Sequence, residues 1–555
     1  MSSPRTEVSV DDLADAYFDA ALRMRPTWAH LLGRYHMAGE FEHVSRAKED
    51  EAIATLRGFV AQAEVISDDG LDEQSRITRA MIVEDATNRA DLLDARLSEF
   101  AANNLMGEQA LLSVQVPMLA IPDADVAEAM VSKYVGIGRY FSDLAERHRE
   151  GVAHRRTPAR FAVEGTIAQL DEWLASSPKE DRLLTTSAPP EGLDVDAWHG
   201  RLQEAIETSV RPGLAAYRDV LRDEVLAHAR DDDRVGLRWL DGGDDAYTRA
   251  LRYFTTTTKG AQEIHDIGLA QVAKLAEEYA ALGPKVVGTD DVQAILDALR
   301  SDPALHHTDG DAIVEASKVA LARAEAEMAS WFEVLPKAPC GVSPTTSGAK
   351  AFYYPPSDDG TRGGTFFMNV SDPTAWGTFE LEAVAYHEGV PGHHLQLAIA
   401  SELTGLPDFR RHSFNSAYAE GWGLYTERLS DEMGLYSSDV DRMGMLSADS
   451  MRACRLVCDT GLHALGWSRQ RAVDYMVANT PMTRGHVQAE IDRYALSPGQ
   501  ATSYMIGRLE IQRMRRQAED RQGSSFDVKR FHSAVLDSGS LSLAVLDRVV
   551  AARLP

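Results

Sequence analysis

Three histidines and a glutamate fall within eight residues of the run Tyr386-His387-Glu388-Gly389-Val390-Pro391-Gly392-His393-His394-Leu395-Gln396. Neutral imidazoles can hold a zinc ion, and a carboxylate beside the first of them can take a proton from water on that ion, the logic of His-Glu-x-x-His. The His-Glu pair is present, but the position four after His387 is Pro391. On a straight helix His393 would lie about 9 Å along the axis from His387, and His394 about 10.5 Å. Metal bonds of about 2 Å do not span that. The helix must therefore bulge or break, and Pro391-Gly392 provides the means, because proline lacks a donor and glycine accepts unusual dihedrals. Looping out two residues returns His393 to the second ligand position, and looping out three brings in His394. His393 is the favoured ligand and His394 the alternative, with the other histidine standing beside the site.

A catalytic zinc needs a third protein ligand and an open position. Glu420 and Glu427, in Ser416-Ala-Tyr-Ala-Glu-Gly-Trp-Gly-Leu-Tyr-Thr-Glu427, project from nearly the same side of a helix-like segment. Glu420 is the expected ligand, since small residues surround it, and Glu427 is placed to orient a ligand histidine. Gly421 and Gly423 would let another helix approach. Further on, Arg452, Arg455, Asp459 and His463 make one polar stripe on a helix that is otherwise apolar, with Cys454 and Cys458 among its buried residues. That stripe is either a structural charge network or a functional face, in which His463 donates to a reacting carbonyl and Arg452 or Arg455 holds a substrate carboxylate. Ser497-Pro498-Gly499-Gln500 reads as a helix start that sets Gln500, Tyr504 and Arg508 on one face. Tyr504 is a neutral donor suited to an oxyanion, and Arg508 is a further candidate for substrate binding.

These residues need a scaffold, and most of the chain carries a helical period. Ser9 and Asp12 open one helix, Leu214 to Val225 continue the pattern, Ile264 to Leu275 repeat it, and Leu543 to Val550 follow an expected cap at Ser540. The stretch Pro336 to Pro373 is different: two β-type runs, Ala351–Tyr354 and Thr365–Val370, flank a Gly-rich connection at 358–364. A hairpin or small sheet beside the metal-binding helix follows, either buried in the core or lining a cleft as an edge that could pair with an extended peptide. The expected fold is mainly α, a two-lobed helical body with residues 1–340 as scaffold and 341–555 as catalytic lobe, integrated because motifs from 387 to 508 must meet at one ion.

The 555 residues include 57 basic against 85 acidic side chains, a net charge of −28. A phosphate backbone or an anionic membrane would be repelled, so neither nucleic acid nor membrane is an expected partner. Three cysteines are too few for a disulfide framework, and no secretory signal or membrane span is read. A cytoplasmic monomer or small homo-oligomer is expected.

The ordered set His-Glu-x-x-Pro-Gly-His-His-Leu-Gln, Ala-Glu-Gly-Trp at 419–422, Asp459-Thr-Gly-Leu-His463 and Pro-Gly-Gln at 498–500 with Tyr504 resembles the bacterial family known as domain of unknown function 885, over nearly the whole chain. That family is more distantly similar to gluzincin-type helical zinc peptidases, among them thimet-type oligopeptidases, angiotensin-converting enzyme and thermostable carboxypeptidases. The resemblance implies a deep channel with a short β-sheet along it and one zinc ion at its floor. It further implies His387 and Glu420 as ligands, Glu388 as base, and His463 or Tyr504 as transition-state donors. The expectation is a zinc metallopeptidase acting on short peptides. Its rivals are a zinc hydrolase of a non-peptide amide or ester and a non-catalytic helical metal-binding protein.

Overall fold

The computed structural model describes residues 9–356 and 362–555. It is mainly helical, with one three-stranded sheet among the described residues. The chain divides into two compact units, one of residues 1–66, 86–249 and 462–470, the other of 67–85, 250–461 and 471–555. The boundary expected at 340 falls inside the second unit, because long-range contacts rather than the change in composition group the segments.

The first unit is built on the helix Ala124–Ala153, started by the Asp123 carboxylate, which accepts from the Val126 N–H. Met130, Tyr134, Ile137 and Phe141 recur on its buried face and meet Trp173, Trp198, Leu214 and Tyr217 from the helices around it. Ser9 caps the helix Val10–Arg23 through the Asp12 N–H, as the sequence reading has it.

The second unit carries the sheet. The two expected runs form β2 (Ala351–Tyr354) and β3 (Gly364–Asn369), antiparallel with Phe352 opposite Phe367. Residues 358–361 of the expected connection lie outside the described residues. β1 (Cys340–Thr345), which the sequence reading missed, pairs parallel with β3 and gives the order β1-β3-β2. The middle strand buries Phe366 and Met368, whereas β1 and β2 are mostly half-buried edges. β1 packs on the helix Gly310–Trp331 and β2 on the helix Leu381–Glu388.

Two expected helix starts are displaced. The last helix, Leu543–Arg553, is capped by Ser542 and not by Ser540. Ser497 closes the helix Arg484–Leu496, and the next helix, Ser503–Gln522, begins after a tight turn at Gln500–Thr502. Gly499 there has φ 81°, and its N–H donates to both oxygens of Asp459.

Candidate metal centre

The helix Leu381–Glu388 stops at Gly389, and a new helix, His393–Glu402, begins four residues later. The chain folds back so tightly that a Cβ on Gly392 would lie 2.0 Å from the His387 carbonyl oxygen. Pro391 follows a cis peptide bond, and its carbonyl accepts from Trp422 Nε1–H at 3.0 Å. This break puts His393 back beside His387, their ring centroids 4.7 Å apart.

Glu420 joins them from the helix Ser416–Glu432. Its Oε2 lies 3.6 Å from His387 Nε2 and 3.4 Å from His393 Nε2. One donor atom from each of the three residues falls within 4.8 Å of the others. Behind His387, Nδ1–H donates to Glu427 Oε1 at 2.8 Å, which leaves Nε2 to face Glu420. The glycines of this helix have separate tasks. A Cβ on Gly421 would lie 2.5 Å from the Gly507 backbone, so this pair lets the helix cross Ser503–Gln522 closely, while a Cβ on Gly423 would lie 2.7 Å from His387 Cε1.

The electrostatics fit a cation. Burial alone would depress His387, but the carboxylates of Glu420 and Glu427 and the charge of Glu388 outweigh it and lift its pKa to about 9. Burial works against the Glu420 charge, and the two imidazoles overcome that, holding its carboxyl well below the usual range. Without metal the cluster therefore holds a proton that a bound cation would displace. Glu388 is half-buried, has no hydrogen-bond partner among the described residues, and acts electrostatically on His387 and on the Cys340 thiol of β1.

Tyr504 lies within the influence of Glu420: burial first, then the Glu420 charge, keep its phenol protonated. The other expected site residues are placed elsewhere. His394 is not in the cluster; its Nε2–H donates to the Ala338 carbonyl at 3.0 Å and its Nδ1 accepts from Tyr353 at 2.8 Å, tying β2 to the helix His393–Glu402. His463 is fully buried in the first unit, where its Nδ1 accepts from the Leu237 N–H and its ring lies against Tyr247, so it is not exposed to donate to a substrate. Arg508 is buried in an ion pair with Asp449, which Arg428 also holds, so its guanidinium is committed within the protein. Arg455 is likewise committed, to Glu490 at 2.8 Å. Arg452 stands 3.9 Å from Glu427, with its Nε buried and unpartnered. Cys454 and Cys458 are buried free thiols. The sequence reading missed the Trp422 clamp and the Glu490, Arg493 and Tyr494 network. The i, i+3 spacing of Glu490 and Arg493 and the i, i+4 spacing of Glu490 and Tyr494 were the local signs of the latter.

The family model described as bacterial protein of unknown function, DUF885, matches residues 26–550. The chain belongs to the DUF885 family. No curated protein matches it. Two solved structures share the fold of this DUF885 chain. One, a putative lipoprotein from Colwellia psychrerythraea, has a TM-score of 0.89 and 25% identity, covering 99% of each chain. The other, a putative lipoprotein of unknown function from Shewanella oneidensis, has a TM-score of 0.79 and 20% identity, covering 98% of this chain and 100% of that one. These descriptions overturn the cytoplasmic placement expected from the DUF885 sequence, which rested on composition and on reading no export signal. Among the described residues no helix is long and apolar enough to cross a membrane.

Proposed function

We propose that this protein is a zinc-dependent peptidase of short peptides, with His387, His393 and Glu420 as ligands and Glu388 as general base. The observation that carries the reading is the cluster itself: two imidazole nitrogens and a carboxylate oxygen within 4.8 Å of one another, backed by Glu427 and followed directly in sequence by a half-buried glutamate without a partner. The donor set suits zinc, and a set of three protein donors, where a structural site has four, favours a catalytic ion. A zinc ion held by these residues would acidify water and polarise a carbonyl. Glu388 accepts the proton of the attacking water and returns it to the leaving amine. Tyr504, kept neutral by burial and by the Glu420 charge, would donate a hydrogen bond to the oxygen on which negative charge grows. The more distant resemblance of the family to gluzincin-type peptidases is what favours peptides over other amides.

Metal analysis of the purified protein and a peptide-library cleavage assay test this together. The wild type is expected to hold one zinc and cleave short peptides. Glu388→Gln should keep the metal and lose about a thousand-fold or more in kcat, and Glu420→Ala should lose the metal. Full turnover by Glu388→Gln sinks the mechanism, and a metal-loaded wild type that cleaves no peptide sinks the substrate class.

A further inference from the structure

The metal centre lies at the end of the helix Leu381–Glu388, and a cavity of about 300 Å³ lies at its start, within the second unit. That size is at the small end of ligand pockets and gives room for one large side chain. Leu299, Trp376, Phe379 and Pro481 line the cavity as buried residues and Met482 as a half-buried one. The charges on its wall are already committed. Lys350 donates to Glu380 at 2.7 Å and to the Ala375 carbonyl at 2.9 Å, with its ammonium 4.6 Å from the centroid of the Trp376 ring. Arg300 donates to the carbonyls of Val477, Thr480 and Met482 at 2.8, 2.7 and 2.9 Å. Asp372, exposed at the rim, accepts from the Thr374 N–H and hydroxyl, and His486 is exposed there too. A charged guest therefore finds no unpaired counter-charge among the buried walls. Their one unpaired polar group is the hydroxyl of Ser447, a residue 7% exposed. A helical serine can bond back to the carbonyl four residues earlier, but Ser447 does not, and no described residue partners it. A guest with an apolar body and a hydroxyl at its tip satisfies both the walls and that group.

The cavity and the metal centre share two elements. Glu380, the cap of the helix Leu381–Glu388, lines the cavity, and His387 follows seven residues on, so both project from one side of the helix, about 10.5 Å apart along its axis. The edge strand β2 spans about the same distance: Lys350, just before it, lines the cavity, and Tyr353, three residues on, bonds His394, the neighbour of His393. An extended peptide rises about 3.3 Å per residue. With its scissile carbonyl at the metal centre, such a chain reaches the cavity with the residue about three positions away.

We infer that this cavity is a specificity pocket for an aromatic side chain, tyrosine above phenylalanine, about three residues from the bond to be cleaved, with Ser447 as the residue that reads the phenol. That the side chain belongs to a peptide undergoing cleavage rests on the peptidase reading. That the cavity takes a phenol does not.

Ser447→Leu fills the cavity from its wall. Against peptides with tyrosine three residues from the cleaved bond, kcat/KM of the zinc-loaded protein is expected to fall about ten-fold or more, the scale of burying an aromatic ring. Peptides with glycine there should stay within about two-fold, and zinc content should not change. Ser447→Ala keeps the cavity and removes only the hydroxyl, so it should fold even if Ser447→Leu does not, and it should abolish a wild-type preference for tyrosine over phenylalanine of about two- to ten-fold. A wild type that cleaves peptides with no aromatic preference at the third residue on either side overturns the inference, as does an unchanged preference in either variant. A second measurement needs no activity. p-Cresol, the tyrosine side chain without a backbone, should receive saturation transfer in NMR from the zinc-loaded wild type and lose it in Ser447→Leu; equal transfer from the two proteins refutes the pocket. Transfer that depends on Ser447 in a zinc-loaded protein that cleaves no peptide sustains the pocket and rejects the proposed function.

Discussion

Gly423 is the seat of the first histidine. A methyl group there would lie 2.7, 2.9 and 3.0 Å from three atoms of the His387 ring, and that ring is already fixed on its far side by Glu427 at 2.8 Å. It cannot yield without giving up that hydrogen bond or moving Nε2 away from Glu420. Gly423→Ala is therefore expected to fold, since the helix Ser416–Glu432 gains propensity from alanine, yet to bind zinc about ten- to a hundred-fold more weakly, the usual effect of disturbing the support of a ligand. Titration calorimetry of the metal-free protein with zinc measures this, and wild-type affinity in the variant would falsify it. The types and spacing of His387, Glu388 and Glu420 pointed to a metal site because their chemistry is local. Gly423 as the seat was not legible, since which glycine meets which ring depends on how two helices cross. Arg508 and His463 misled for the same reason: a polar residue on a buried helix demands a partner, and sequence alone did not show that the partners are Asp449 and the Leu237 N–H.

At the scale of elements, one helix does two jobs: Ser416–Glu432 supplies Glu420 and, two residues on, Trp422, whose indole N–H holds the Pro391 carbonyl of the loop that delivers His393. Trp422 also packs against Phe332 and His532, so its apolar body has a place independent of that hydrogen bond. Trp422→Phe keeps much of the packing and leaves the carbonyl without this partner, which should cost about 1–3 kcal/mol of stability. Urea unfolding should show this loss, and zinc affinity should fall with it because the His393 loop is loosened; a variant matching wild type in both would show that the loop holds itself. The break at Pro391-Gly392 was legible, because axial rise sets a distance that two ligands on one straight helix cannot meet. β1 was not. Cys340-Gly-Val-Ser-Pro-Thr345 contains glycine and proline, which read as loop, and proline survives there because β1 is an edge strand paired only with β3. The expected helix start at Ser497 failed on a tertiary contact, the grip of Asp459 on Gly499.

Across the whole molecule each unit buries a histidine in the neutral form. His148, in the first unit, donates from Nδ1 to the Leu144 carbonyl at 2.9 Å while its Nε2 is buried without a partner; burial, opposed by that carbonyl and aided by the Arg147 charge, takes its pKa down to about 4. His532, in the second, donates from Nδ1 to the Trp331 carbonyl, accepts the Tyr425 O–H at 2.9 Å and stacks on Phe332; burial, opposed by the carbonyl and aided by Arg515, takes it down to about 3. In the unfolded chain a histidine titrates near 6.5. As pH falls from about 6.5 toward those values, the unfolded state takes up protons that the folded state refuses, so stability is full above that range and is lost on acidification. The loss is up to about 1.4 kcal/mol per pH unit for each group. The acidic excess of 28 charges does not mimic this, because carboxylates with ordinary pKa values gain protons mainly below about pH 5. His532→Gln offers the carbonyl a donor and the tyrosine an acceptor but does not titrate. Urea midpoints measured from pH 7.5 to 5 should therefore decline in the wild type and decline less steeply in His532→Gln, and parallel curves for the two proteins would remove His532 from the cause.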